Sequence, residues 1–364
     1  MKILNIVGAR PNFMKIAPLL REMKRHPELN PVLVHTGQHY DAGMSDVFFR
    51  DLEISAPDIY LDVGSGTQAV QTGNIMMAFE PIAQEQNPDL VLVVGDVNST
   101  LACSIVSAKL GIPVGHVEAG LRSFDRTMPE EINRVVTDAL SEFHFTTSPE
   151  AENNLLREGI SKEKIYFVGN VMIDTLIHLV QKAESSQVRT SLGVNGDYAL
   201  LTLHRPSNVD EQEPLKRIFK ALSIIARRIP ILFPIHPRTA RMLKQFEIST
   251  EVRGLKLIEP LGYLDFIHLE RHARFVLTDS GGIQEETTVL GVPCLTLRNN
   301  TERPITIAEG TNVLVGNDVE RICNGAEGVL NAKEKTGRVP SLWDGKAAER
   351  IVSVLRRVAA QSHS

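Results

Sequence analysis

Cysteine is nearly absent from this sequence. Three occur in 364 residues (Cys103, Cys294 and Cys323), far apart and outside any CxxC or Cys/His zinc spacing. Each sits in an apolar stretch, so they read as small buried hydrophobes of a reducing compartment, not as a disulfide framework. Long hydrophobic runs are missing as well. The N-terminus, Met1 to Pro11, has only a short apolar stretch before Gly8 and Arg10, and no run approaches the ~20 apolar residues of a membrane span. The expectation is a soluble, cytoplasmic chain with no membrane partner. An excess of positive charge is lacking too: 39 Lys and Arg face 44 Asp and Glu, and the cations form no run. That sets aside nucleic acid, which requires a basic face. A dianionic substrate is still accommodated where a few cations converge. Neither GxxxxGK[ST] nor GxGxxG occurs, which removes the Walker loop and the dinucleotide fingerprint.

What is present is an ordinary globular composition at a length suited to two domains. Short β-branched runs alternate with segments of helical period. Ile3–Val7, Val32–Thr36, Leu90–Val94, Pro113–Val117, Phe143–Thr147 and Ile165–Val168 read as strands, with helical stretches such as Asn12–His26 and Pro129–Ser141 between them. The pattern pauses at the polar segment Glu184–Asp197 and restarts with Ala199–Leu203, Ile231–Ile235, Lys256–Glu259, Phe275–Thr278 and Pro293–Leu297. Alternation of this kind predicts an α/β chain of two Rossmann-like domains facing an interdomain cleft. The expected domains are 1–172 and 173–344, with a last helix at about 345–364 packing back on the first.

Ligands of open α/β sheets bind beyond the carboxyl ends of strands, so the loops there carry the information. Gly8 to Lys15 offers a tight turn, a helix start and the cations Arg10 and Lys15; this suits an anion, and equally an ordinary βα turn. Asp96, beside Gly95, is either a cleft carboxylate or a helix cap. Glu118 ends an apolar strand, an uncomfortable place for a merely structural carboxylate. In Pro129-Glu130-Glu131, the helix dipole alone explains the acids, and Arg134 lies one turn beyond Glu130, placed to hold its carboxylate. His204 and His236 stand at equivalent strand ends of the second half, each followed at once or nearly so by a proline. Thr278-Asp279-Ser280-Gly281-Gly282 joins a strand to a helix with exposed amides suited to a diphosphate, and Glu286 follows a turn later, where a carboxylate is able to accept two ribose hydroxyls. Helix capping by Asp279 or Ser280 explains only part of this.

These segments together resemble the non-hydrolysing UDP-N-acetylglucosamine 2-epimerases: GARPNFMK at 8–15, GDVNST at 95–100, HVEAGLR at 116–122, PEEINR at 129–134, HRPSN at 204–208, TDSGGIQEE at 278–286 and TERP at 301–304. The match runs in order from residue 1 to beyond 310. The resemblance implies a GT-B-type fold, a homodimer, a UDP-N-acetylhexosamine substrate, and neither metal nor nicotinamide cofactor. It implies that Arg10, Ser280, Gly281 and Gly282 hold the diphosphate, Glu286 the ribose and Phe266 the uracil, with Lys15 and His236 lining the same cleft. It assigns the chemistry to Asp96, Glu118, Glu130 and His204. The reaction implied is interconversion of UDP-GlcNAc and UDP-ManNAc through 2-acetamidoglucal. Asn12, the Pro206-Ser207 pair and Ile305 depart from the family's commoner residues; as members of ligand-facing loops they are expected to bear on the identity of the sugar. The competing readings are a C2 epimerase of a diacetamido or uronic-acid sugar, a hydrolysing 2-epimerase, a GT-B glycosyltransferase and a non-catalytic UDP-sugar sensor.

Overall fold

A computed structural model describes residues 1–37, 51–332 and 337–361, with the side chain of Arg10 outside that description. The chain divides into two compact units, one of residues 1–178 with 341–364 and the other of 179–340. The division falls inside the helix Val171–Ala183.

The first unit is built on seven parallel strands: β1 (Lys2–Val7), β2 (Asn30–His35), β3 (Ile59–Tyr60), β4 (Leu90–Val94), β5 (Val114–Ala119), β6 (Phe143–Thr146) and β7 (Ile165–Phe167). Their spatial order is β3-β2-β1-β4-β5-β6-β7. Helices cover both faces, so the central strands are buried throughout; β4 is apolar at all five positions. Leu4, Ile6, Val91 and Val93 pack on Ile75, Phe79 and Ala83 of the helix Gln68–Gln86. Each such side chain removed from water contributes roughly 1.5–3 kcal/mol. The strand order reverses between β1 and β4, which makes their carboxyl ends the crevice of this sheet.

The last helix, Ala347–Gln361, packs on the helix Arg10–Met23 within this unit. Asp174 caps it, accepting from the amides of Ala347 at 3.1 Å and Ala348 at 2.7 Å. Burial pushes the Asp174 carboxyl up to about 6 against the pull of those two amides. Buried Trp343 adds a second tie, donating its indole N–H to the Thr147 carbonyl at 2.9 Å.

The second unit repeats the plan with six parallel strands: β8 (Ala199–Thr202), β9 (Ile231–Pro234), β10 (Leu255–Ile258), β11 (Phe275–Thr278), β12 (Cys294–Thr296) and β13 (Asn312–Leu314). The order is β10-β9-β8-β11-β12-β13, so its reversal lies between β8 and β11. Its larger core joins Leu201, Phe233 and Leu277 to Leu215, Ile218 and Leu222 of the helix Gln212–Ile225. The edge strands β3 and β13 went unrecognised in the sequence, because neither is a run of buried apolar residues: β3 is the pair Ile59-Tyr60, and β13 opens on Asn312 and leaves Val313 exposed. Among the described residues, no helix is long and apolar enough to cross a membrane.

Candidate active site

In the first unit the motif loops converge at the crevice between β1 and β4. Glu118 lies within β5 and not beyond its end. The pairing of β5 with β6 slips between Val117 and Ala119, leaving Glu118 at a bulge with φ of +72°. A left-handed glutamate is strained by about 1–3 kcal/mol, and bulges of this kind re-aim a side chain. The buried Glu118 carboxylate pairs with the ammonium of Lys15, itself nearly buried. Both stand over Gly95: a Cβ there would meet Lys15 Nζ at 2.7 Å and Glu118 Oε2 at 3.4 Å. Gly95 also has φ of +69°, so this turn requires glycine twice over.

Asp96, a quarter exposed, is ion-paired with buried Arg134. The following helix, Asn98–Lys109, is capped at Val97 with no side-chain bond, so Asp96 and Ser99 are not its caps. Arg134 also binds Glu131 at 2.5 Å, whereas the sequence pointed it toward Glu130. The reason is the phase of the helix Pro129–Leu140. Glu131 turns inward and accepts from the amides of Ser123 and Phe124, both at 2.9 Å, while Glu130 stands half-buried in the first turn.

Behind Glu118 lies a network that the sequence did not disclose. Asp138 accepts from His116 Nδ1 at 2.6 Å, the Gly120 amide at 3.0 Å and Arg122 at 2.7 Å. The other nitrogen of His116 meets the Gly95 carbonyl at 2.8 Å. Burial would raise the Asp138 carboxyl, but the charges and hydrogen bonds of His116 and Arg122 outweigh it and hold the group below its ordinary value. One carboxylate thus braces both turns that carry Gly95 and Glu118.

Asn12 is a correction. It is buried, its amide oxygen accepts from Gly8 at 3.1 Å and Ala9 at 3.0 Å, and its nitrogen donates to the Val94 carbonyl at 3.0 Å. A side chain so occupied shapes the turn and does not face a ligand. Ile305 is likewise buried, at the start of the helix Ile305–Ala308. Pro206 supplies the first position of the helix Pro206–Val209, a structural task.

In the second unit, β8 and β11 bring His204 to Asp279 across the reversal, Nδ1 to Oδ1 at 2.9 Å. The buried Asp279 carboxylate also takes the amides of His204 and Arg205, at 3.0 and 2.8 Å. Burial alone would raise it; His204 and the amides hold it below its ordinary value. Asp279 therefore fixes His204 and is no helix cap. His236 caps the helix Pro237–Gln245, its ring 5.7 Å from that of His204.

The helix Gly281–Leu290 starts at Ser280 with no side-chain cap, which leaves its first amides to a ligand. Gly281 has a second reason to be glycine: a Cβ would lie 2.4 Å from Arg303 Nη1 and 2.9 Å from Glu302 Oε1. Buried Arg303 pairs with Glu302 at 2.5 Å and Glu285 at 2.7 Å. Glu286 is buried and accepts from Tyr263 at 2.6 Å. Burial and the Glu285 charge push its carboxyl up to about 7, against hydrogen bonds from Tyr263 and Glu270. Phe266, on the same helix as Tyr263 (Tyr263–His272), is part-buried against the core that includes Leu200, Leu232 and Leu269.

The family model for UDP-N-acetylglucosamine 2-epimerase matches residues 21–356. The UDP-N-acetylglucosamine 2-epimerase of Methanocaldococcus jannaschii is 44% identical, over 98% of this chain and 99% of that protein. Its crystal structure in complex with UDP-GlcNAc and UDP superposes with a TM-score of 0.93, covering 98% of this chain and all of the other. A Pseudomonas aeruginosa relative, UDP-2,3-diacetamido-2,3-dideoxy-D-glucuronate 2-epimerase, is 40% identical over 98% of this chain and all of that protein. With two Rossmann-like units, each carrying the motif loops at the reversal of its sheet, this chain belongs to the UDP-N-acetylglucosamine 2-epimerase family and is an epimerase.

Proposed function

We propose that this enzyme interconverts UDP-GlcNAc and UDP-ManNAc by eliminating UDP and adding it back through 2-acetamidoglucal. The observation that carries the reading is Glu118, held in a left-handed bulge against Lys15 and Gly95, with Asp96 at the adjoining strand end. A C2 proton with no neighbouring carbonyl is weakly acidic. Departure of UDP from C1 builds positive character on the ring and makes that proton removable. The C1–O bond breaks, the C2–H electrons form the C1–C2 double bond, and a carboxylate takes the proton. Return of UDP to C1, with protonation on the opposite face of C2, inverts that centre.

Glu118, Asp96 and Glu130 share these proton transfers. His204, oriented by Asp279, steadies the departing diphosphate. The uncapped amides of Gly281 and Gly282 hold the diphosphate with the Ser280 hydroxyl and Arg10, Glu286 takes the ribose, and Phe266 packs on the uracil. Lys15 and His236 also contact the substrate, each from the strand ends of its own unit. The elimination is redox-neutral, so it requires no nicotinamide, and the amides and cations at the diphosphate take the place a metal would otherwise fill. The reading carries with it a cytoplasmic homodimer, checked by light scattering on the purified chain.

The test is proton NMR with UDP-GlcNAc in D₂O and no added cofactor. Formation of the UDP-manno epimer, with deuterium at C2 of both sugars, is the expected outcome. Free N-acetylmannosamine plus UDP would identify the hydrolysing reaction. No change would overturn the substrate and direct attention to diacetamido uronic acids of the kind named for the Pseudomonas relative.

A further inference from the structure

In the second unit, the carbonyl ends of two helices meet at a group of side chains that the epimerase chemistry does not use. Glu184 follows the helix Val171–Ala183, and His268 and His272 occupy the last turns of the helix Tyr263–His272. One ligand atom from each of the three lies within 4.8 Å of the other two. His268 and His272 are four residues apart and stack on one helix face, ring centroids 4.5 Å apart.

We propose that Glu184, His268 and His272 form a binding site for a divalent late transition metal of the zinc class. Three independent features support it. First, both rings are fixed through Nδ1 by backbone: His268 Nδ1 donates to the Ala183 carbonyl at 2.9 Å and His272 Nδ1 to the His268 carbonyl at 2.8 Å. A carbonyl only accepts, so in the neutral rings the lone pair resides on Nε2, and a ring N–H held by a backbone carbonyl is the usual support of a metal-bound histidine. Second, the Glu184 carboxylate has the divided partners of a ligating group. Oε1 binds Arg271 at 3.0 Å while Oε2 faces His272 Nε2 at 3.8 Å. Third, two helix C-termini place their negative ends at the site, which favours a cation.

Two imidazoles and one carboxylate are a donor set for zinc and its neighbours, not for calcium or magnesium, which take oxygen. A tetrahedral ion with bonds near 2.0–2.1 Å needs ligand atoms roughly 3.4 Å apart. Small side-chain rotations therefore close the site. Glu184 is 43% and His272 31% exposed, which provides an entry path and leaves the fourth position to water. Such an ion would clip the segment entering the second unit to the helix that carries Tyr263 and Phe266. Its role is structural and separate from proton transfer at C2.

The experiment uses the full chain without a polyhistidine tag, stripped with a chelator, dialysed against Zn²⁺ and assayed for bound metal. Co²⁺ substitution supplies an absorption spectrum of the coordination sphere. About one zinc per chain and a tetrahedral Co²⁺ spectrum are expected. His272→Ala, at a half-buried position, and Glu184→Ala, at an exposed one, should each weaken retention by about tenfold or more, since loss of an outer-shell partner alone costs that much. No retained zinc, or equal retention by the native chain and both variants, would overturn the site.

Discussion

The two units solve the same problem, presenting groups at the reversal of a parallel sheet, by different means. The first relies on paired charges and a strained backbone. Lys15 meets Glu118, Arg134 meets Asp96, and Asp138 braces the turns from behind. The second relies on backbone amides at an uncapped helix start, with its charges placed behind them in the Arg303, Glu285 and Glu302 cluster. Proton transfer needs side chains whose position is over-determined, whereas a diphosphate is held by dipoles that carry no titratable group. Damage to the first unit should therefore appear in turnover, and damage to the second in nucleotide affinity and stability.

The sharpest test of that contrast is Glu118→Gln. It keeps the shape and removes the base, so kcat should fall roughly 10²–10⁴-fold with little change in KM, read from epimer formation by NMR. Comparable turnover would place the chemistry elsewhere.

Asp138→Ala comes next. It leaves Arg122 and His116 without a shared buried anion and releases the Gly120 amide, at a cost of about 3–5 kcal/mol. Urea unfolding gives the stability loss, and turnover should drop although Asp138 touches no substrate.

Gly281→Ala breaks the second unit. The added Cβ must displace Arg303 from two buried carboxylates, destabilising by about 1–3 kcal/mol. Calorimetry should show weaker UDP binding, with kcat at saturation changed less than KM.

The smallest effect is one of pH. Glu286 and Glu270 are buried against each other and both carboxyls are raised in the folded state, so the stability the pair contributes is full below the ordinary value of 4.5 and is lost as pH rises through about 7 and beyond. Glu286→Gln removes one member of that pair. Unfolding midpoints at pH 6 and pH 8 should move closer together, while UDP affinity weakens through loss of the ribose acceptor. An unchanged pH gap would assign the titration to another group.

Most of the fold was legible because buried parallel strands are short, apolar and separated by helical periods. Leu90–Val94 and Phe275–Thr278 were read with the boundaries the structure has. The edge strands β3 and β13 were not, because neither forms a run of buried apolar residues. In the candidate site, strand-end position alone picked out Asp96, Glu118, His204 and the Asp279–Gly282 turn. It misjudged Arg134, because one residue of helix phase decides between Glu130 and Glu131. It misjudged Asn12 and Ile305, because each lies in the first turn of a helix, where a side chain can point inward as readily as outward. Asp138, inside a helix and 22 residues from His116, had no local signal at all.

What the sequence by itself determined is the order of strands, helices and strand-end loops, and with it the family. Those follow from periodicity and from residues adjacent along the chain. Only the tertiary structure decided that Glu118 sits in a left-handed bulge, that Asp138 braces the turns around it, and that Glu184 meets His268 and His272. Bulges and ion pairs are settled by how strands and helices distant in sequence pack, and the energy that selects them is absent from any local segment.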